Sequence, residues 1–176
     1  IAALGQPDRN PRRYSARELI LIGSSTGGTE ALREVLTPLP ADLPGMCVVQ
    51  HIPAKFSAAL AERLNQLCRL EVREAVDGDR VSPGLVLLAP GGRHLVLHWT
   101  STHYQVRLTE GPPVHHQRPA VDVMFDSAVV DPTSVVPKVK SFTVALGSTT
   151  PLKVGVVSLV MLSELDAPVS LPMSRS

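Results

Sequence analysis

Several features that would mark a specialised class of protein are scarce in this chain of 176 residues. Aromatic residues make up only 3% of it, which leaves few side chains on which nucleic-acid bases can stack. The formal net charge is +1, so the composition gives no electrostatic attraction to a phosphate backbone. We therefore expect no nucleic-acid partner.

Cysteines and long apolar runs are also few. Cys47 and Cys68 lie in apolar contexts at a spacing that matches no metal motif, so we expect two buried side chains and no metal. No apolar run is long enough to cross a membrane, and no signal-peptide pattern opens the sequence. Hydrophobic residues still make up 44%, which favours a folded domain over a disordered chain. These observations predict a cytoplasmic protein without membrane insertion.

The chain divides into a polar tail and a region of strand–helix alternation. Residues 1–17 are rich in arginine and proline and are predicted to be the remnant of an interdomain linker. Residues 18–176 are predicted to form one domain. It begins with unbroken apolar runs over 19–22 and 46–50, which are typical of strands buried on both faces. Helices are predicted over 29–36 and 57–68, with Ser57 as the cap of the second.

The middle of the chain holds short strand patterns separated by turn residues. "LEVREA", "GLVLLAP", "HLVLH" and "YQVRLT" are close enough together to favour antiparallel hairpins. Beyond them we predict a helix over 120–129, a strand near 142–146, a helix near 154–165 and a last strand in "APVSL". The fold class is therefore α/β, a three-layer doubly wound, mainly parallel sheet with helices on both faces and an antiparallel hairpin extension. Sites in such sheets lie beyond the carboxyl ends of the strands.

The turn after the first strand reads "GSSTG" and has Ser25 at the centre of a G-x-S-x-G pattern. Such a turn between strand and helix exposes a serine hydroxyl beside backbone N–H groups that can hold an oxyanion. Two other interpretations stay open. The glycines could simply pack a helix on a sheet, or the helix start could bind an anion. No lysine follows the glycines, which argues against a P-loop.

A serine nucleophile needs a base, and His51 directly follows the second buried strand. If the two strands are adjacent in the sheet, the turn that carries His51 lies beside Ser25. A purely structural histidine at a strand end is the alternative. The remaining histidines show no metal-ligand spacing on one element, so no metal is predicted. They are His94, His98, His103, His115 and His116.

Four stretches together resemble the catalytic domain of the chemotaxis protein-glutamate methylesterases, the CheB family. They are "LIGSSTGGTEALREVLTPLP", "VVQHIPAKFSAALAERLNQLC", "EAVDGDRVSPGLVLLAPGGRHL" and "GPPVHHQRPAVDVMF". The resemblance covers about residues 19–125, and its motifs stand in the family's order and spacing. It is therefore specific over more than half of the chain.

The resemblance implies that Ser25 is the nucleophile and His51 its base, with Thr26 and Gly27 lining the oxyanion site. The implied reaction is hydrolysis of γ-glutamyl methyl esters on the cytoplasmic domains of methyl-accepting chemoreceptors, and in many members also deamidation of receptor glutamines. No cofactor or metal is implied. An N-terminal receiver domain is the partner implied for the full-length protein.

One element of the family pattern is absent. The family's third triad residue is an aspartate in a glycine-rich turn, but the corresponding stretch here, "ALGSTTPLK", contains no acid. The remaining candidates are Asp122, Asp126, Asp131 and Asp166, none of which occupies the motif position, and the third triad acid is left unassigned. The alternatives are therefore a catalytically impaired domain that binds a receptor or a receiver domain, and an unrelated serine hydrolase acting on small esters.

Overall fold

The fold is built around a parallel sheet, seen here in a computed structural model that describes Tyr14 and residues 18–129, 140–143 and 158–162. Its first four strands are β1 (Leu19–Ser24), β2 (Gly45–Gln50), β3 (Glu71–Glu74) and β4 (Leu85–Leu88). A hairpin follows, made of β5 (His94–Trp99) and β6 (Tyr104–Thr109), and the last two strands are β7 (Lys140–Thr143) and β8 (Ser158–Leu162). The helices are α1 (Gly28–Leu36), α2 (Ala54–Leu67) and α3 (Val121–Val129).

The main sheet has the strand order β3-β4-β2-β1-β8-β7, and each neighbouring pair is parallel. The two central strands are nearly continuous apolar runs because both of their faces are covered. All residues of β2 are buried, as its unbroken hydrophobic pattern predicts. The strands over 19–22 and 46–50 and the helices over 29–36 and 120–129 are thus confirmed, with ends that shift by one or two residues.

Side chains of β2 alternate between two hydrophobic clusters, one on each face of the sheet. Met46 and Val48 pack with α1 and α2, through helix residues such as Leu32 and Leu64. Cys47 and Val49 point the other way, into a cluster formed with α3 and the β5–β6 hairpin. The predicted three-layer fold with helices on both faces and an antiparallel extension is therefore confirmed.

The prediction of repeated hairpins is only partly correct. β5 and β6 pair antiparallel as expected, but β3 and β4 are parallel neighbours in the main sheet. The connection between β3 and β4 is long enough to run back along the hairpin. It pairs there with β6, through hydrogen bonds from the Val81 N–H to the Tyr104 carbonyl (3.0 Å) and from the Val106 N–H to the Asp79 carbonyl (2.7 Å).

Two further predictions are wrong. Ser57 is not a cap: α2 begins at Ala54 with Pro53 at its N-cap position, and Ser57 is buried one turn inside the helix. The segment near 154–165 was predicted to be a helix, but it contains strand β8, because β-branched valines favour an extended chain. Strand β7 lies at the start of the predicted 142–146 strand.

Other predictions fall on parts of the chain outside the described residues. These are the linker over 1–17, apart from Tyr14, and the strand "APVSL". Within the ranges that the structure does describe, no helix is long and apolar enough to span a membrane.

Candidate active site

Strand register brings Ser25 and His51 together. Ser24 pairs with Gln50 at the carboxyl ends of β1 and β2, so the next residue of each strand enters the same edge of the sheet. The backbone N–H of His51 donates to the Ser24 carbonyl (3.1 Å) and extends this pairing into the turns. As a result, His51 Nδ1 lies 3.2 Å from Ser25 Oγ. A hydroxyl and an imidazole at this distance can exchange a proton.

The turn that carries Ser25 depends on two glycines. Gly27 has φ of 75°, a left-handed conformation that costs an L-residue with a side chain more than it costs glycine. Gly28 donates its N–H to the Ser25 carbonyl (2.8 Å) and opens α1. A Cβ on Gly28 would lie 2.9 Å from Ser24 Oγ and would collide with Gln50 Oε1. The backbone therefore passes too close to its neighbours to carry a side chain here.

Beneath Ser25 lies a small buried network that the sequence did not reveal. Ser24 Oγ donates to Gln50 Oε1 (2.5 Å), and both residues are buried. Gln50 Nε2 in turn donates to the carbonyls of Ser25 (2.8 Å) and His51 (3.1 Å). Gln50 thus joins the two turns through their backbones and limits how far Ser25 and His51 can separate. The only signal for it was a polar residue at the end of an apolar strand.

The electrostatic setting of His51 favours its neutral form. Burial lowers the pKa of the imidazole, and the charge of Asp122 partly opposes that effect. For Nδ1 to accept the Ser25 proton, the ring must carry its own hydrogen on Nε2. Nε2 is buried, and it has no hydrogen-bond partner within the part of the chain that the structure describes. The imidazole is therefore placed where it could act as a base, but the nitrogen that a third group would hold is unpaired among the described residues.

Thr26 and Gly27 lie where the sequence placed them, at the start of α1. Thr26 is exposed, Gly27 is half-buried, and Gly27 occupies the N-cap position of the helix. The first N–H groups of a helix have no partners within the helix itself. The turn after Ser25 is therefore a place where backbone donors can meet a negatively charged oxygen.

These features agree with the comparisons to known proteins. The model of the CheB methylesterase family matches residues 20–136, a range that contains the turns of Ser25 and His51 and the helices that follow them. The chain belongs to the CheB methylesterase family. The resemblance noted in the four motifs is thereby confirmed.

Individual relatives of this CheB-family chain are also close in sequence. It is 55% identical over 113 residues to protein-glutamate methylesterase/protein-glutamine glutaminase 2 of Syntrophus aciditrophicus. It is 54% identical over 114 residues to protein-glutamate methylesterase/protein-glutamine glutaminase 1 of Xanthomonas oryzae pv. oryzae. These alignments cover 64% and 65% of this chain, but they span only about a third of the length of each relative (33% and 32%).

A solved structure supports the same assignment. The CheB methylesterase catalytic domain of Thermotoga maritima superposes with a TM-score of 0.65 at 35% sequence identity. The superposition covers 72% of this chain and 66% of that one. The shared fold therefore includes more than the motifs that first indicated it.

The carboxylates proposed from the sequence have separate positions. Asp122 and Asp126 both lie on α3 and are exposed. Asp131, Asp166 and the acid-free stretch "ALGSTTPLK" lie outside the described residues. No carboxylate in the described ranges donates or accepts a hydrogen bond at His51 Nε2. The third triad acid therefore stays unassigned.

The other histidines have structural surroundings of different kinds. His94 is buried, its Nε2–H donates to the Pro112 carbonyl (3.1 Å), and its Nδ1 accepts the Ala120 N–H (3.2 Å). His103 meets Thr100 in the turn of the hairpin, at 3.1 Å from Nδ1 to Oγ1. Among the described residues there is no group of three or more side chains suited to hold a metal ion.

Proposed function

We propose that this chain hydrolyses γ-glutamyl methyl esters on chemoreceptors, with Ser25 as nucleophile and His51 as general base. The observation that carries the proposal is the 3.2 Å contact between Ser25 Oγ and His51 Nδ1 at the carboxyl edge of the sheet. Membership of the CheB methylesterase family and the names of the relatives support the choice of substrate. The protein-glutamine glutaminase part of those names makes deamidation a second reaction of the same site.

In the first half of the reaction, Ser25 Oγ attacks the ester carbonyl carbon while His51 Nδ1 takes the hydroxyl proton. The negative charge that develops on the carbonyl oxygen is stabilised by backbone N–H groups of the turn at Thr26 and Gly27. Collapse of the tetrahedral intermediate breaks the bond to the methoxy oxygen. That oxygen receives the proton from His51 and leaves as methanol.

In the second half, water attacks the acyl group on Ser25 while His51 takes a proton from it. The bond to Ser25 Oγ breaks, the proton returns to Oγ, and a glutamate side chain is released. A glutamine substrate follows the same course with ammonia in place of methanol. All of these steps need an imidazole that is neutral before each attack, which is the form that burial of His51 favours.

The proposed partners follow from the substrate. They are the cytoplasmic domains of methyl-accepting chemoreceptors and, in a longer protein, an N-terminal receiver domain joined through residues 1–17. The receptor's methylated side chains lie on helices, so the substrate must reach Ser25 at the surface of the domain. The half-buried position of Ser25 next to exposed Thr26 is compatible with such a substrate.

The test is methanol release from a methylated receptor fragment, measured for the full chain and for Ser25→Ala. We expect the rate of methanol release to be lower in Ser25→Ala by a factor on the order of 10³ or more, because no attacking oxygen remains. Ser82→Ala is the matched control, because Ser82 lies beside Gly45 at the amino end of β2, and it should keep its activity. Equal methanol release from the wild type and Ser25→Ala would refute the proposal.

Among the described residues His51 Nε2 has no partner, and this favours one alternative, a domain of the same fold that binds a receptor or a receiver domain but turns over ester slowly. An imidazole without an acceptor on its far nitrogen is less well oriented, and the loss of that acceptor in a serine protease lowers turnover about 10⁴-fold. Receptor binding by the wild type, with no methanol release above that of Ser25→Ala, would support this alternative. Release that is fast and lost in His51→Ala would exclude it.

A further inference from the structure

One carboxylate of the fourth family-like stretch, Asp122, stands in the first turn of α3. Helix α3 contacts both β1 and β2, whose ends carry Ser25 and His51. The contact is close: a Cβ on Gly23, two residues before Ser25, would lie 2.8 Å from Val121 Cγ2. The first turn of α3 is therefore packed against the strand end that leads into the nucleophile, and Asp122 is the next residue of that turn.

The segment before α3 is held in place by buried His94. The two ring nitrogens of His94 bind Pro112 and Ala120, which lie at either end of the loop preceding the helix. The loop also closes through Arg118, whose carbonyl accepts the Gly92 N–H (3.0 Å) and whose guanidinium donates to the Gly111 carbonyl (3.0 Å). Asp122 thus lies in the first turn of a helix whose position is set from two sides, by Val121 on the sheet and by His94 behind the loop.

We propose that Asp122 is a positioning residue of the reaction, a carboxylate that stabilises the protonated imidazole of His51 through space. It takes part of the role of the acid that is missing from the family's motif position. The inference rests on the proposed function for its effect on rate, but its effect on His51 itself can be measured without any substrate. Asp122 does not touch the reacting atoms.

The electrostatics agree with the geometry. The charge of Asp122 acts to raise the pKa of His51 against the larger lowering caused by burial. The carboxylate is about half exposed, with 57% of its side chain accessible, so solvent must screen the interaction. We therefore expect a modest effect, smaller than that of a hydrogen-bonded triad acid.

Other charged groups lie on the elements around the two turns. His115 Nε2 lies 3.5 Å from Asp122 Oδ2 and, when protonated, competes for its charge. Glu30 on α1 is paired with Arg33, and Lys55 stands on the first turn of α2. Asp126 is one turn further along α3 and is exposed, which makes it the matched control for removal of a negative charge from this helix.

The decisive measurement is the titration of the His51 ring by NMR in the wild type, Asp122→Asn and Asp126→Asn. Removal of the Asp122 charge should move the His51 midpoint to lower pH, while Asp126→Asn should leave it in place. In the wild type, about 0.5 M sodium chloride should move the midpoint the same way, since salt screens exposed charges. Asp122→Glu keeps the charge and should resemble the wild type.

The same variants give a kinetic readout with methylated receptor. Asp122→Asn should lower the plateau of kcat/KM by a factor of about 1.5 to 5, as expected for a solvent-screened charge pair. The acid limb of the pH profile of kcat/KM should move to lower pH in Asp122→Asn, because the imidazole of His51 then loses its proton at a lower pH. A merely structural role would lower the plateau without moving the limb.

The outcomes separate this inference from the proposed function. An unchanged His51 midpoint in Asp122→Asn, or an equal change in Asp126→Asn, would overturn the role of Asp122 even if methanol release depends on Ser25. If the His51 midpoint shifts in Asp122→Asn but the wild type releases no methanol, the electrostatic role of Asp122 is supported and only the proposed esterase function is refuted.

Discussion

Two neighbouring serines, Ser24 and Ser25, show how position decides the role of a residue. Ser24 is the last residue of β1 and is buried, and its Oγ donates a hydrogen bond to Gln50 Oε1 (2.5 Å). Ser25 is the next residue, is partly exposed and lies 3.2 Å from His51. Successive residues of a strand point to opposite sides, so only one of the two hydroxyls can reach the base. The pattern in the sequence named Ser25, and the geometry supports that choice.

A residue-scale prediction concerns Gly28. In Gly28→Ala the new methyl group would collide with Gln50 Oε1 and lie 2.8 Å from Ser24 Cβ, so the buried network must move apart. We expect the free energy of unfolding to fall by about 2 kcal/mol or more, the cost of overpacking and of buried hydrogen bonds lost. Urea denaturation followed by circular dichroism measures it.

The control for this variant is Gly78→Ala. Gly78, unlike Gly28, has a positive φ, of 89°, and the nearest atom to its added Cβ is 3.8 Å away. It should therefore lose only about 1 kcal/mol from backbone strain. Equal losses in the two alanine variants would show that the contact with Gln50 is unimportant.

At the scale of elements, helix serines join neighbouring pieces of the fold. Ser57 Oγ donates to the Ala54 carbonyl of its own helix (3.0 Å) and accepts the N–H of Gly91 from the β4–β5 turn (3.0 Å). Ser127 on α3 does the same, donating to the Met124 carbonyl and accepting the N–H of Leu97 from β5 (2.9 Å). A hydroxyl can serve both partners because it is donor and acceptor at once.

Ser57→Ala tests this connection. It leaves the Gly91 N–H without its partner in a buried place, so we expect the free energy of unfolding to fall by about 1–3 kcal/mol. Hydrogen exchange of the Gly91 amide should become faster, because this N–H loses its acceptor. Ser82→Ala, a loop substitution, should change stability by less than about 0.5 kcal/mol. An unaltered Gly91 exchange rate would argue against the link.

For the molecule as a whole, the central strand β2 is buried along its entire length. It lies between β1 and β4 in the sheet, with a hydrophobic cluster on each face. Cys47 stands in this strand, and burial raises the pKa of its thiol to about 12. Cys68, at the end of α2, is only partly buried.

We expect thiol labelling to report unfolding of the whole domain. A thiol-specific reagent near pH 8 should modify Cys68 in the native protein and Cys47 only at the rate at which the sheet opens, because thiolate is the reactive form. Mass spectrometry of digested samples distinguishes the two sites. Fast labelling of Cys47 without denaturant would contradict the proposed protection of β2.

The limits of sequence-based prediction are visible in particular elements. Strands β1 and β2 and helix α1 were predicted because a continuous apolar run or a helical period is a local property. The parallel pairing of β3 with β4 was not predicted, because a short apolar strand pattern is compatible with a hairpin and with a parallel neighbour alike. Ser57 was mistaken for a cap because its actual partner, Gly91, is 34 residues away. Local patterns carry no information on such long-range contacts.

The sequence by itself determined the class of fold, the glycine-rich turn around Ser25 and the family, since each depends on residue types at fixed spacing along the chain. Only the tertiary structure decided that Ser25 and His51 lie within reach, that Gln50 ties their turns together and that α3 brings Asp122 to the same edge. These depend on strand register and on the packing of a helix from a distant part of the chain. Distances across a fold are set by that packing, and the order of residues does not display them.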